Sequence, residues 1–124
     1  MKRRGLSITH SLRSVFWSSR GATPGKRGSA LLYGHTYDSK PSGVGVLDRL
    51  GRVKAGAEVV VAKGAKKIRY TATKAVFMRA ISEKQMARFL SHFGQSRLAV
   101  ITCHWNKKLQ KYDGWWVVRA VKKR

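Results

Sequence analysis

Short apolar runs constrain this chain more than any other feature. Ser29 to Tyr33, Glu58 to Ala62, Ile68 to Met78, Arg97 to Cys103 and Trp115 to Val121 are rich in Val, Ile, Leu, Thr and aromatic residues. Turn chemistry bounds them, with Gly34 after the first run and Lys54-Ala55-Gly56-Ala57 before the second. Runs of this length, punctuated by Gly and polar residues, read as strands. Helical signals are few. Ser82 stands three residues before Gln85, a capping-box spacing in which each side chain satisfies the other's backbone N–H. Met86, Phe89, Leu90 and Phe93 follow at i, i+3, i+4 and i+7, and Gly94 is placed to stop the helix. Val46, Leu47 and Leu50 suggest one more helical turn before Gly51. The expected fold is mainly β, with one or two short helices.

With 124 residues and 43% hydrophobic content, the chain has the size and apolarity of one packed domain. Residues 1–16 read as a basic N-terminal arm and 17–124 as the domain, with a turn at Thr23-Pro24-Gly25. Twenty-seven Lys and Arg against five acids give a formal net charge of +22. Such a surface attracts polyanions, and nucleic acid, anionic lipid and anionic cell-wall polymer all fit it. Trp105, Tyr112, Trp115 and Trp116 interleave with Lys, which keeps a nucleic-acid-binding protein as the rival reading. The basic start of the chain is not followed by an apolar h-region, and no run approaches the ~20 residues of a membrane span.

Chemistry centres on Cys103 and His35. A single cysteine excludes an internal disulfide, so Cys103 is a core residue, an inert thiol or a nucleophile. It ends an apolar run and precedes His104 and a Lys-rich segment, surroundings expected to favour the thiolate. His35 follows another apolar run, so neighbouring strands would bring an acid–base group to the thiol. By itself His35 also suits a loop residue. Zinc has little support, since one thiol is available where a structural site needs four spaced ligands, and no cofactor is implied.

Three blocks change this weighting. Trp17-Ser18-Ser19-Arg20-Gly21-Ala22-Thr23-Pro24-Gly25 leads through Gly28-Ser29-Ala30-Leu31-Leu32-Tyr33 to Gly34-His35. Val46-Leu47-Asp48-Arg49-Leu50 is followed by Lys54-Ala55-Gly56-Ala57-Glu58-Val59-Val60-Val61, and Ala99-Val100-Ile101-Thr102-Cys103 comes near the end. In this order they resemble the sortases, Gram-positive cell-wall cysteine transpeptidases. The family shows a Trp, a Gly-Ala-x-Pro-Gly turn and a strand ending in Gly-His, then an apolar turn and strand, then Leu-x-Thr-Cys.

The resemblance implies a sortase-type β-barrel, here without the first strands that normally precede the Trp-containing segment. It implies that Cys103 attacks the carbonyl after the Thr of a Leu-Pro-x-Thr-Gly-like sorting signal, and that His35 carries the protons. The implied partners are the sorting peptide of a surface protein and an amine acceptor such as a cell-wall precursor, or water. The implied location is the extracytoplasmic membrane or cell-wall face. The family's third catalytic group is an Arg on the last strand, and laid on this sequence its position falls near Trp115, with Arg119 four residues further on. Arg119 is expected to serve if a bulge or a different hairpin register brings it to Cys103, with Lys107 or Lys111 as substitutes. An inactive relative used for binding alone is the further alternative.

Overall fold

The computed structural model describes residues 15–34, 50–63, 65–106, 108–109 and 111–123. The apolar runs form strands: β1 (Val15–Trp17), β2 (Ser29–Gly34), β3 (Glu58–Lys63), β4 (Lys66–Met78), β5 (Arg97–Asn106) and β6 (Lys111–Lys122). They make one six-stranded sheet in the order β1-β2-β5-β6-β4-β3, curled into a half-barrel. All neighbours are antiparallel except β2 and β5, which run parallel with Ser29 opposite Arg97 and Tyr33 opposite Ile101. A parallel pair needs a long connection. Here it contains β3, β4 and the helix α1 (Glu83–Phe89).

Strand alternation divides the side chains between two cores. The inner face gathers Ala30, Leu32, Tyr70, Leu98, Val100, Val118 and Ala120, with Trp17 of β1 and Val59 and Val61 of β3 packed against them. Residues from both sheet edges thus share one cluster, as the curl requires. Tyr70 is fully buried, and its hydroxyl accepts the Gly25 N–H at 2.8 Å, so its polar tip is satisfied. The outer face is smaller. Leu31, Ala99, Ile101 and Val117 pack there against Phe89 of α1. Complete burial of one such Leu stabilises by about 2 kcal/mol.

The capping box forms as expected: Ser82 Oγ accepts the Gln85 N–H at 3.1 Å, and Gln85 Oε1 accepts the Ser82 N–H at 2.8 Å. The helix is one turn shorter than the apolar spacing suggests. It ends at Phe89, and Phe93, expected on its buried stripe, is 82% exposed. The cause is the chain's next commitment, because the Ser91 carbonyl accepts the Ser29 N–H at the start of β2 and the Gly94 carbonyl accepts from Gly28. The packing there is tight. A Cβ on Gly28, at φ +97°, would lie 2.5 Å from the Ser91 carbonyl oxygen.

Two further differences concern boundaries. β5 does not stop at Cys103, and the expected polar loop 104–114 is largely a hairpin, with Trp105 opposite Tyr112 and Asn106 opposite Lys111. Polar residues extend the ladder because only one side of an end hairpin needs a core. β1 opens at Val15, two residues before the expected domain start, and pairs with β2 through Phe16 opposite Tyr33. Leu50–Arg52 forms a single 3-10 turn, while Val46, Leu47 and the rest of the basic arm, residues 1–14, lie outside the described residues.

Candidate active site

Cys103 lies on β5 opposite Trp115 of β6. Parity puts it on the outer face, in line with Ile101 and Ala99. Its neighbour Thr102 points inward, is fully buried, and donates its hydroxyl to the Gly34 carbonyl at 2.7 Å. This bond ties the end of β2 to the residue before the thiol. His35 is the next residue after Gly34 and lies outside the described residues, as does Lys107.

The half-buried thiol has a hydroxyl for company. Tyr33, two residues before His35 and on the same face as Leu31, donates a hydrogen bond to the Cys103 sulfur. Burial pushes the Cys103 thiol above its ordinary 9.0, and the Tyr33 bond opposes that rise only in part. Tyr33 itself is pushed up to about 12, first by burial, then by Cys103 and by Tyr112. This differs from the expected thiolate-favouring surroundings. The reason is again alternation: His104 follows Cys103 in sequence but faces the other side of the sheet.

On that inner side His104 belongs to a separate network. Its Nδ1–H donates to Asp113 Oδ1 at 2.6 Å, and Asn106 Nδ2 donates to Asp113 Oδ2 at 2.8 Å. The ring meets Phe77 edge-on at 5.3 Å between centroids and Trp116 at 6.3 Å. These bonds hold the Asp113 carboxyl below its ordinary 3.8. Asp113 is the extra residue of a bulge, which falls between His104 opposite Gly114 and Trp105 opposite Tyr112. Gly114 is required here, since a Cβ would come within 2.5 Å of the Phe77 ring.

That bulge lies beyond Cys103, so it cannot draw Arg119 toward the thiol. Between the two residues the β5–β6 register is unshifted, and Arg119 stands opposite Ala99. Four residues at about 3.3 Å each separate it from Cys103 along the strand, roughly 13 Å. In this register Arg119 shares the face of Cys103 but not its place, and its guanidinium lies 5.5 Å from the Phe89 ring centroid. Lys111, opposite Asn106, lies beyond the bulge on the other side. The position facing Cys103 holds Trp115.

Tyr33 is the residue that sequence reasoning passed over. Its signal was parity: it stands two residues before His35, so it faces the same side as Leu31 and reaches the end of its strand with a polar tip. Among the described residues no three His, Cys, Asp or Glu side chains gather as a metal site would need. Nor is any described helix long and apolar enough to cross a membrane.

A family model described as the sortase domain matches residues 3–123. No curated protein sequence matches the chain. Among solved structures, sortase A from Corynebacterium diphtheriae superposes with a TM-score of 0.75 at 16% identity, over 98% of this chain and 53% of that one. Sortase C1 from Streptococcus suis gives 0.72 at 20% identity, over 98% and 64%. A sortase D5 transpeptidase from Clostridium perfringens gives 0.66 at 14% identity, over 89% and 62%. The chain thus spans less than two thirds of the length of each of these relatives. The structures share its fold, and with the family model covering nearly its whole length this chain belongs to the sortase family.

Proposed function

We propose that this chain is a cysteine transpeptidase in which Cys103 is the nucleophile and His35 the proton carrier. One observation carries the reading: β2 and β5 run parallel and in register, and Thr102 bonds to the Gly34 carbonyl, so the chain enters His35 from the strand beside the thiol. The substrate is a Leu-Pro-x-Thr-Gly-like sorting signal. The Cys103 sulfur attacks the carbonyl carbon of the Thr, the C–N bond to the Gly breaks, and His35 delivers a proton to the leaving amine. A thioester remains on Cys103. An acceptor amine, or water, then attacks that carbonyl, gives a proton to His35 and releases the sulfur.

The thiol's raised pKa fits a cysteine kept protonated until substrate displaces water, with ionisation coupled to His35 rather than standing at rest. The oxyanion is the open requirement. Arg119 is too distant in this register, and the group in hydrogen-bonding contact with the sulfur is the Tyr33 hydroxyl. We assign Tyr33 the donor role that the family gives to its Arg, at lower strength, because a neutral donor contributes about half of a charge-assisted one.

The test is a quenched Leu-Pro-x-Thr-Gly peptide panel read by fluorescence, with mass spectrometry of the intact protein. Wild type is expected to carry the amino-terminal peptide fragment as an adduct on Cys103. Cys103→Ala should carry none, and His35→Ala should turn over at least ~10²-fold more slowly. Equal inertness of wild type and both variants across the panel, with circular dichroism unchanged, would overturn the reading.

A further inference from the structure

A charge of +22 makes most of the surface basic, so a site must be distinguished from the background. Of the three described acids, Glu83 lies in the first turn of α1 and the other two are committed. Glu58 pairs with Arg69 and Lys123, both at 2.9 Å, and Asp113 with His104. On the outer face, away from Cys103, three arginines converge from three different elements: Arg88 of α1, Arg97 of β5 and Arg119 of β6. Among the described residues none of the three makes an ion pair. They line a groove of about 500 Å³ together with Lys84. A second groove of about 200 Å³ shares Arg88 and Arg119 and is walled by Val76, Met78, Phe89 and Val117, with Lys74 and Gln85 at its polar side.

Two costs are left open in this arrangement. Arg119 is partly desolvated and repelled by Arg97 and Arg88, which together draw its guanidinium below the usual arginine range. Arg97 Nε is buried with no hydrogen-bond partner. A buried donor without an acceptor is costly and rare, so the Arg97 side chain lacks its full set of partners inside the fold. An oxyanion seated in the groove offsets the repulsion among the three guanidinium groups. Guanidinium groups suit it better than ammonium groups, because their planar forks match the oxygens of a phosphate.

We propose that this groove is a binding site for a phosphate-class oxyanion: a phosphate or diphosphate ester whose head sits among Arg88, Arg97 and Arg119. The 500 Å³ groove holds more than a bare ion, and the adjoining apolar wall of Val76, Met78 and Phe89 receives the organic part of the ester. The site requires nothing of the Cys103 chemistry and stands if that reading fails.

Inorganic pyrophosphate is the probe, titrated at physiological salt by calorimetry and amide chemical shifts into the whole chain and its variants. Saturable binding is expected, weakened about 10-fold or more in both Arg88→Gln and Arg119→Gln. Lys67→Gln, which removes the same charge from the exposed β4 end of the β3–β4 hairpin, should change it less than about 2-fold. Arg119 packs on Phe89, so if its variant melts early the exposed Arg88→Gln decides the matter alone. Phosphatidic acid vesicles against phosphatidylcholine vesicles separate the sources. Sedimentation that needs Arg88 and is competed by pyrophosphate assigns a lipid carrier, and pyrophosphate binding without sedimentation assigns a soluble one. Absence of saturable binding, or equal weakening by Lys67→Gln, overturns the site, as does binding confined to long polyanions such as DNA with no dependence on Arg88.

Discussion

The two ends of the outer sheet face are built from the same strands and carry opposite chemistry. At one end Cys103 and Tyr33 share a hydrogen bond beside Trp115, a half-buried place in which burial favours the neutral thiol. At the other, Arg88, Arg97 and Arg119 crowd together without an acid. Parity puts Cys103 and Arg119 on one face, while register keeps them roughly 13 Å apart along the strand. A chain with so many cations still places none of its described ones opposite its thiol. Charge content describes what a surface attracts, and register decides what a site can do.

The strongest way to break this comparison is through the floor that both ends share. Leu31 is fully buried between them, against Phe89, Ala99, Ile101 and Val117. Leu31→Ala is expected to cost about 2–5 kcal/mol in urea unfolding. It should also loosen both ends together, seen as faster alkylation of Cys103 and weaker pyrophosphate binding. Disturbance of one end alone would show that α1 does not couple them.

Trp115→Arg sharpens the comparison by moving a cation to the thiol end. An opposite charge within a few ångströms lowers a pKa by about 1–3 units, so the Cys103 alkylation profile should shift to lower pH by about that much. Sorting-peptide cleavage should rise about 10-fold as the oxyanion gains a charged donor. An unmoved alkylation profile would mean that position 115 does not face the sulfur.

Much of this was legible in the sequence because the relevant rules are local. The apolar runs became β2 to β6, the Ser82–Gln85 box capped α1, and the separation of Arg119 from position 115 followed from counting residues on a strand. Other features depended on distant partners. Phe93 has the spacing of a buried helical position, yet the backbone of 91–94 is needed to bond Gly28 and Ser29, and helix periodicity carries no trace of that demand. The segment after Cys103 is polar enough to read as loop, and its pairing rests on the bulge at Asp113 and on Gly114 fitting beneath Phe77. The thiol's surroundings were misjudged for a simpler reason. Adjacency in sequence suggested that His104 would act on Cys103, whereas adjacent residues on a strand face opposite ways.

Tyr33→Phe tests the thiol end by itself. The hydroxyl's bond lowers the Cys103 pKa against the larger effect of burial, so its loss should move the alkylation profile further up. The sign for stability follows. A thiol whose folded pKa is raised contributes stability that is fully present below the unfolded value of 9.0 and is lost as pH rises through the folded value. Tyr33→Phe raises the folded value further, so it should lose more stability than wild type as pH rises above 9.0. A shift to lower pH would mean that the hydroxyl accepts from the thiol instead of donating to it.

The smallest expected effect concerns the face that neither end uses. The Asp113 carboxyl is held below its ordinary 3.8 by His104 and Asn106, so it contributes stability that is present above the unfolded value and lost as pH falls through the folded one. Asp113 is solvent-accessible, so screening keeps the contribution slight. Asp113→Asn should lower the urea midpoint a little at pH 6, and the difference should vanish as pH falls below the wild-type carboxyl's folded value. The Cys103 alkylation profile should stay where it is, because the His104–Asp113 pair faces inward and the thiol outward. Were that profile to move with Asp113, the sheet would be passing charge information between its faces, and the contrast between the two ends of the outer face would need a contribution from beneath it.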